Sequence, residues 1–425
     1  MLHFLSAKIT YNENKITMGE QKRGPSPAGS NNENVDFEDL EEGVINEEDI
    51  VEVINLDDDG IEMSEDEEES EEEIRHFEVE KDDSVYTFSG HKGPVFCCRI
   101  NPVDKTQVIT GGKDDLAYIW KVGEPSGAVK LDGFKDSVTE AAFSHDGMYA
   151  AVGDLSGVIK VFKVGDQGLV WSFEIDDLNW LKWHFGAHVL FAGDISGSMW
   201  MWQIPSGMCK TFSGDGKSNN CGVLFHSGDR FACGYADGTV KIWNLKTSTP
   251  VYTMSETTGR DDEVAMMKLC IDINKSDQML MTGGADGNVT FYNPKTGVDI
   301  CKVSCGRDAS DSIEAVSFSP PSYHLAAIGT LMGNLTIWDI STMSERSSLS
   351  FPDGIVRLAW SPLVNSAILH TVSLDGVVAT IDARSNTVIK KQLGHTSNIL
   401  NMDLSVDGST LVSSSDDSTA KVYTL

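Results

Sequence analysis

Positive charge is scarce in this chain. Only 33 Lys and Arg stand against 65 Asp and Glu in 425 residues, a formal net charge of −32. That balance excludes a nucleic-acid backbone or an anionic membrane surface as a direct partner and favours basic proteins. Long apolar runs are missing as well: no stretch of about 18 hydrophobic residues occurs, so no transmembrane helix is expected. The opening MLHFLSAKITY is too short and too polar for a secretory signal. The eight cysteines (97, 98, 209, 221, 233, 270, 301 and 305) include no CxxC pair. Cys301 and Cys305 have no histidine or second cysteine pair beside them to complete a zinc site. Free thiols packed as small hydrophobes in a reducing compartment, and no metal, are therefore expected. The chain reads as cytosolic, with the nucleus as a second compartment. Catalytic phrases are absent too: there is no GxSxG, Walker A, HExxH or kinase signature. Neither catalytic residues nor a cofactor is assigned, and no enzyme is expected.

What the chain does have is repetition. A tight polar turn followed by a strand recurs eight times: GGKDDLAYIW (111–120), GDLSGVIKVF (153–162), GDISGSMWMW (193–202), GYADGTVKIW (234–243), GGADGNVTFY (283–292), GTLMGNLTIW (329–338), TVSLDGVVATI (371–381) and SSDDSTAKVY (414–423). Their last residues are 42, 40, 41, 49, 46, 43 and 42 positions apart. Ahead of each turn lies an apolar-alternating strand ending near Ser or Asp-Gly, such as Val138–Gly147, Ile313–Ser319 or Ile399–Gly408. Strand-rich repeats of about 40–45 residues predict an all-β, eight-bladed β-propeller built from four-stranded antiparallel meanders. The two Gly-Asp-x-Ser-Gly copies at 153–157 and 193–197 superficially suggest a nucleophile loop. They recur at the repeat period and read as turn chemistry.

The last repeat stops two residues after Tyr423, so it holds three strands and lacks the outer fourth. Ser84-Val-Tyr-Thr-Phe88 is a lone strand at the other end of the ring. It is expected to complete the eighth blade and leave no open edge. Residues 84–425 thus form the propeller, and residues 1–83 an acidic tail. Between Glu33 and Asp83 stand 26 acidic residues against only Arg75 and Lys81, and this predicts disorder. Within the tail, Ile50, Val51, Val53 and Ile54 sit beside Asp57–Asp59 in a pattern suited to strand addition, resembling a SUMO-interacting motif. An inert solubilising tail is the alternative. Ser64 and Ser70 stand in contexts that an acid-directed kinase could modify.

Gly-His pairs with Asp, Ser or Thr, and Trp at fixed offsets resemble WD repeats, a family in which these side chains form a hydrogen-bonded tetrad. The matching residues are His91, Thr110, Asp114 and Trp120 in blade one and His395, Ser413, Asp417 and Tyr423 in blade eight. Blade two has Gly133-Phe134 instead of Gly-His, and blade three has no counterpart. The segments DIVEVINLDDD, VITGGKDDLAYIW, KDSVTEAAFSHDG, WSFEIDDLNWLKWH and SLDGVVATIDAR are similar to the angio-associated migratory cell protein family. That resemblance implies protein binding: escort of a new large-subunit ribosomal protein among fungal relatives, and roles in cell migration among animal ones.

In such a ring the loop leading into each repeat and the turn before the Trp strand share one face, the top. Loop acids there are Asp136, Asp176, Asp177, Asp261, Asp262, Glu263, Asp308, Asp311, Glu314 and Asp353. The bases Lys92, Lys135, Lys217, Arg260 and Arg307 are fewer. A summed negative field on one face would steer a basic ligand, and ordinary solvated turns are the alternative. Five of the nine tryptophans fall between Trp171 and Trp202. Trp180, near Asp176 and Asp177, reads either as blade core or as an aromatic anchor within an acidic rim. The leading expectation is a monomeric, non-enzymatic chaperone or escort of a basic ribosomal protein, with no direct nucleic-acid contact. Two rivals remain. Ile381-Asp382-Ala383-Arg384 resembles the ending of cullin-RING ubiquitin-ligase substrate receptors, and the family resemblance alone implies a signalling scaffold.

Overall fold

The alternation of β-branched and aromatic residues with polar ones, punctuated by Asp-Gly and Ser-Gly turns, gives strands too short to stand alone. They gain stability only by stacking sheet on sheet. The computed structural model describes residues 75–255, 267–308, 310–363 and 365–425. The tail motif Ile50, Val51, Val53 and Ile54, Ser64 and Ser70, and the loop acids Asp261, Asp262 and Glu263 lie outside the described residues. Those described form eight four-stranded antiparallel sheets, an eight-bladed all-β propeller.

The inner strands of blades one to eight are Val95–Ile100, Val138–Phe143, Leu178–Trp183, Asn219–Leu224, Lys268–Ile273, Ile313–Phe318, Ile355–Trp360 and Ile399–Leu404. Successive inner strands touch one another around the circuit, and the eighth touches the first. Each carries a register shift after its first residue, so that Phe96, Thr139, Asn179, Asn220, Leu269, Glu314, Val356 and Leu400 are inserted residues. An inserted residue sharpens local twist, and eight in equivalent places let eight sheets converge on one axis.

Apolar side chains form layers between neighbouring blades. One joins blades one and two through Ile109, Ile119, Val138 and Val152, and another joins blades six and seven through Leu335, Ile337, Ile355 and Leu369. Indole N–H groups also stitch seams, between blades two and three and between blades six and seven. Trp183 Nε1 donates to the Ala142 carbonyl at 3.0 Å, and Trp360 Nε1 to that of Ser317 at 3.1 Å.

Seven blades are formed by consecutive strands. The eighth joins Ile399–Leu404, Thr410–Ser415 and Ala420–Thr424 to Tyr86–Phe88, with Tyr86 opposite Val422 and Phe88 opposite Ala420. Phe88 is buried and stacks on Trp120 of blade one, centroids 4.9 Å apart and rings 7° from parallel. The short strand therefore pairs with blade eight through its backbone and with blade one through its side chain. Residues 75–83, grouped with the tail on composition, also contact blade eight because their main-chain and carboxylate groups find partners there. The Phe77 amide donates to the Thr396 carbonyl at 2.7 Å, the Asp83 amide to that of Leu393 at 2.8 Å, and Lys421 Nζ to Asp82 Oδ2 at 2.6 Å.

A chain beginning at Ile74 is predicted to melt at the same temperature as the full-length protein, and one beginning at Gly90 well below it. Phe88→Ala should cost about 3–5 kcal/mol in denaturant titration. Equal melting of all four proteins would show that the strand does not hold the ring closed.

Candidate protein-binding face

In blade one the side chains Trp120, Thr110, His91 and Asp114 form a hydrogen-bonded relay. Trp120 Nε1 donates to Thr110 Oγ1 at 3.2 Å, which leaves the hydroxyl hydrogen to point at His91 Nε2, 3.0 Å away. His91 Nδ1 then donates to Asp114 Oδ1 at 2.9 Å, and the Lys92 amide donates to Asp114 Oδ2 at 3.0 Å. Blade eight repeats the pattern: Ser413 Oγ lies 2.7 Å from His395 Nε2, and His395 Nδ1 donates to Asp417 Oδ2 at 2.8 Å. Tyr423 occupies the indole position and is fully buried. Both histidines are buried, so these groups hold the top turns in place and are withdrawn from chemistry with solutes. Burial pushes the Asp417 carboxyl up, but hydrogen bonds from His395, Thr419 and the Thr396 amide outweigh it and hold the group at about 2.

The Gly-Asp-x-Ser-Gly copies are turns of identical construction. Asp154 Oδ1 accepts from Ser156 Oγ at 2.9 Å and the Val158 amide at 2.8 Å; Asp194 Oδ1 accepts from Ser196 Oγ at 2.7 Å and the Ser198 amide at 2.8 Å. The closing glycines need positive φ, 89° at Gly157 and 87° at Gly197. A Cβ at either would fall 2.3 Å from a carbonyl oxygen of the loop leading into the next blade, Ile175 O or Lys217 O.

The turns and loops of the top face sort its acids into two groups. Asp177, Asp311 and Glu314 are buried. Asp311 serves the backbone, accepting from the Arg307 and Met332 amides at 2.8 Å each. Glu314 Oε1 accepts from Ser312 Oγ at 2.7 Å, while Oε2 has no hydrogen-bond partner. Solvent reaches the second group: Asp176 and Asp308 are exposed, and Asp136 and Asp353 are half-buried. Asp353 pairs with Arg75 Nη1 at 3.1 Å, a contact absent from the sequence reading because it spans 278 residues. Trp180 is also withdrawn from the surface. It is 5% exposed, stacks on Phe231 at 5.1 Å, and its Nε1 donates to Asn219 Oδ1 at 3.1 Å, so it packs blade three against blade four.

The acids of this face act on one another. Partial burial pushes the Asp115 carboxyl up, and the charges of Asp136, Asp114 and Asp154 push it further. Burial likewise raises Asp194 against three hydrogen bonds that lower it, and Asp176 adds to the rise. Neighbouring carboxylates in blades one to three thus add to the rise that burial imposes on Asp115 and Asp194.

Glu314, expected as a loop acid, lies within the inner strand Ile313–Phe318, beside inner-strand charges not singled out from sequence: Arg99, Lys182, Arg357, Glu140, Asp272 and Asp403. Two of the acids bond the next blade's backbone. Asp272 Oδ2 accepts from the Phe318 amide and Asp403 Oδ2 from the Ile100 amide, each at 2.7 Å. The signal available was a charge within an otherwise apolar strand pattern. Arg384, central to the ligase reading, forms an ion pair with its own turn's Asp382 at 3.1 Å.

Comparison with known proteins accords with this geometry. The WD domain, G-beta repeat family matches residues 82–121, 128–163, 208–244 and 386–424. Angio-associated migratory cell protein from Homo sapiens is 38% identical over 354 residues, spanning 80% of this chain and 80% of its own. The chain belongs to the WD-repeat family of angio-associated migratory cell protein. The chain is also similar to the ribosome assembly protein SQT1 of Saccharomyces cerevisiae, 25% identical over 385 residues, covering 83% of this chain and 86% of its own. The fold also matches a crystal structure of Chaetomium thermophilum Sqt1 bound to the N-terminus of the ribosomal protein L10. That match has a TM-score of 0.73 and 20% identity, and covers 81% of this chain and 100% of the other.

The depressed Asp417 carboxyl fixes a pH dependence for this WD-repeat protein. A folded value of about 2 against about 4 in the unfolded chain contributes roughly 2 kcal/mol, present in full above pH ~4 and lost as pH falls through ~2. Unfolding free energies measured from pH 5 to 2 should show that loss, and Asp417→Asn should flatten it. An unchanged slope in the variant would remove Asp417 as the cause.

Proposed function

We propose that this protein is a non-catalytic binding module that captures a basic polypeptide segment on its top face, and that the segment is the N-terminal region of a large-subunit ribosomal protein of the L10 type. The observation that carries the reading is the crowding of carboxylates around Asp115, Asp136 and Asp154 and around Asp176 and Asp194. A face on which carboxylates crowd one another gains when cations settle among them, because repulsion is relieved and attraction added. The Sqt1 complex with the L10 N-terminus supplies the ligand class. Asp176 and Asp136 are the residues assigned to contact it, with Asp308 and Asp353 extending the field round the ring. Covering the lysines and arginines of such a segment would keep it from RNA until hand-over.

The test is calorimetric titration of the full-length protein with a synthetic peptide carrying the L10 N-terminal sequence. Micromolar or tighter binding that weakens steeply with salt is expected. Asp136→Lys combined with Asp176→Lys should weaken it at least about tenfold, or about 1.4 kcal/mol. Unchanged affinity in the double variant would place the site elsewhere.

A further inference from the structure

The turns joining the first and second strands of each blade lie on the end opposite the acidic face. Two of them bring together side chains that the proposed binding reaction does not use. Blade two contributes His145 and Asp146, and blade three contributes His188. One ligand atom from each of these residues lies within 4.8 Å of the others. His188 Nε2 is 2.8 Å from Asp146 Oδ2, and the His145 and His188 rings are 5.3 Å apart at their centroids.

Two of the three groups are held in place. Asp146 Oδ1 accepts from Ser144 Oγ at 2.7 Å and from the Met148 amide at 3.1 Å, which fixes the carboxylate with Oδ2 turned towards blade three. The His188 ring meets Tyr149 edge-on at 4.9 Å, and its carbonyl accepts from the Ile204 amide at 2.8 Å. His145 is exposed, its ring tilted against that of His188. In a tetrahedral complex with bonds of about 2.0–2.1 Å, ligand atoms stand about 3.3 Å apart. The Asp146–His188 pair is already slightly closer than this, and the third ligand atom, on exposed His145, lies within 4.8 Å of both. Two imidazoles and one carboxylate are a borderline donor set that suits Zn²⁺ and disfavours Ca²⁺ or Mg²⁺, which take oxygen.

We propose that His145, Asp146 and His188 form a Zn²⁺ site, three protein ligands with solvent in the fourth position, that clips blade two to blade three on the face opposite the acidic one. The ion replaces the His188–Asp146 hydrogen bond, one of several across this seam, with three metal–ligand bonds. It also brings in the exposed His145. Because its ligands come from two blades, occupancy resists separation of that seam.

The experiment uses chelator-stripped, dialysed full-length protein titrated with ZnCl₂ by calorimetry, and with CoCl₂ by visible absorption. One saturable site is expected, with the intense d–d bands of four-coordinate Co²⁺ and a zinc-dependent rise in melting temperature. His145→Ala, an exposed position whose loss leaves the fold intact, should weaken Zn²⁺ binding by more than about tenfold and abolish both the bands and the thermal shift. His188→Ala should do the same, with circular dichroism checking its fold. Absence of a saturable site would overturn the proposal. So would a site unaffected by His145→Ala, or one giving only the weak bands of six-coordinate Co²⁺, which would mean loose binding by carboxylates.

Discussion

A propeller loses its open edge only when its first and last blades are joined, and here the joining strand, Tyr86–Phe88, is three residues long. Its backbone completes the sheet of Ala420–Thr424, while Phe88 stacks on Trp120 in the next blade. The same seam contains the Asp403 carboxylate on the Ile100 amide and Arg99 Nη1 on Asn401 Oδ1 at 3.1 Å. Every other seam joins blades that are neighbours in sequence, so chain connectivity alone keeps them close. This one joins residues more than 300 positions apart, and loop-closure entropy opposes it. The best-formed tetrads flank it, in blades one and eight, where the turns that align the joining strand must be rigid.

The top face follows from the same turn chemistry. Most of these turns use their own aspartate to accept backbone amides, and the blade-six turn, which has none, uses Asp311 of the entering loop, so the fold brings acid to that end whether or not anything binds there. Asp154, Asp194, Asp311 and Asp417 are occupied in this way. Function is argued from the surplus. Asp136 and Asp176 bear charge without being consumed by the turn network to the same degree, and they stand close enough to disturb Asp115 and Asp194. The fold thus supplies a negative background, and a few additional carboxylates raise it into a field that can select a cationic chain.

Much of this was legible in the sequence, for reasons that differ by feature. The repeat count and tetrad offsets are local: His91, Thr110, Asp114 and Trp120 are placed by one hairpin and one loop, so fixed spacing carries them. Burial of individual acids is not local. Asp176 and Asp177 are adjacent, yet one faces solvent and the other packs inward, because successive residues leaving an outer strand point to opposite sides. Trp180 illustrates the same limit, since its partner Phe231 belongs to the next blade. Arg75 against Asp353 depends on where the chain runs before the ring begins, and composition holds no record of that path. His145 and His188 stand 43 residues apart, about one repeat, so the period itself was the available signal that their turns abut.

The measurement that bears most directly on the central claim is purification of the tagged full-length protein from cells at low and at high salt, with partners quantified by mass spectrometry. The account predicts one strongly basic ribosomal protein in near-stoichiometric amount at low salt, displaced at high salt. A salt-resistant set of partners with no basic protein among them would contradict it and make the acidic face a by-product of turn chemistry.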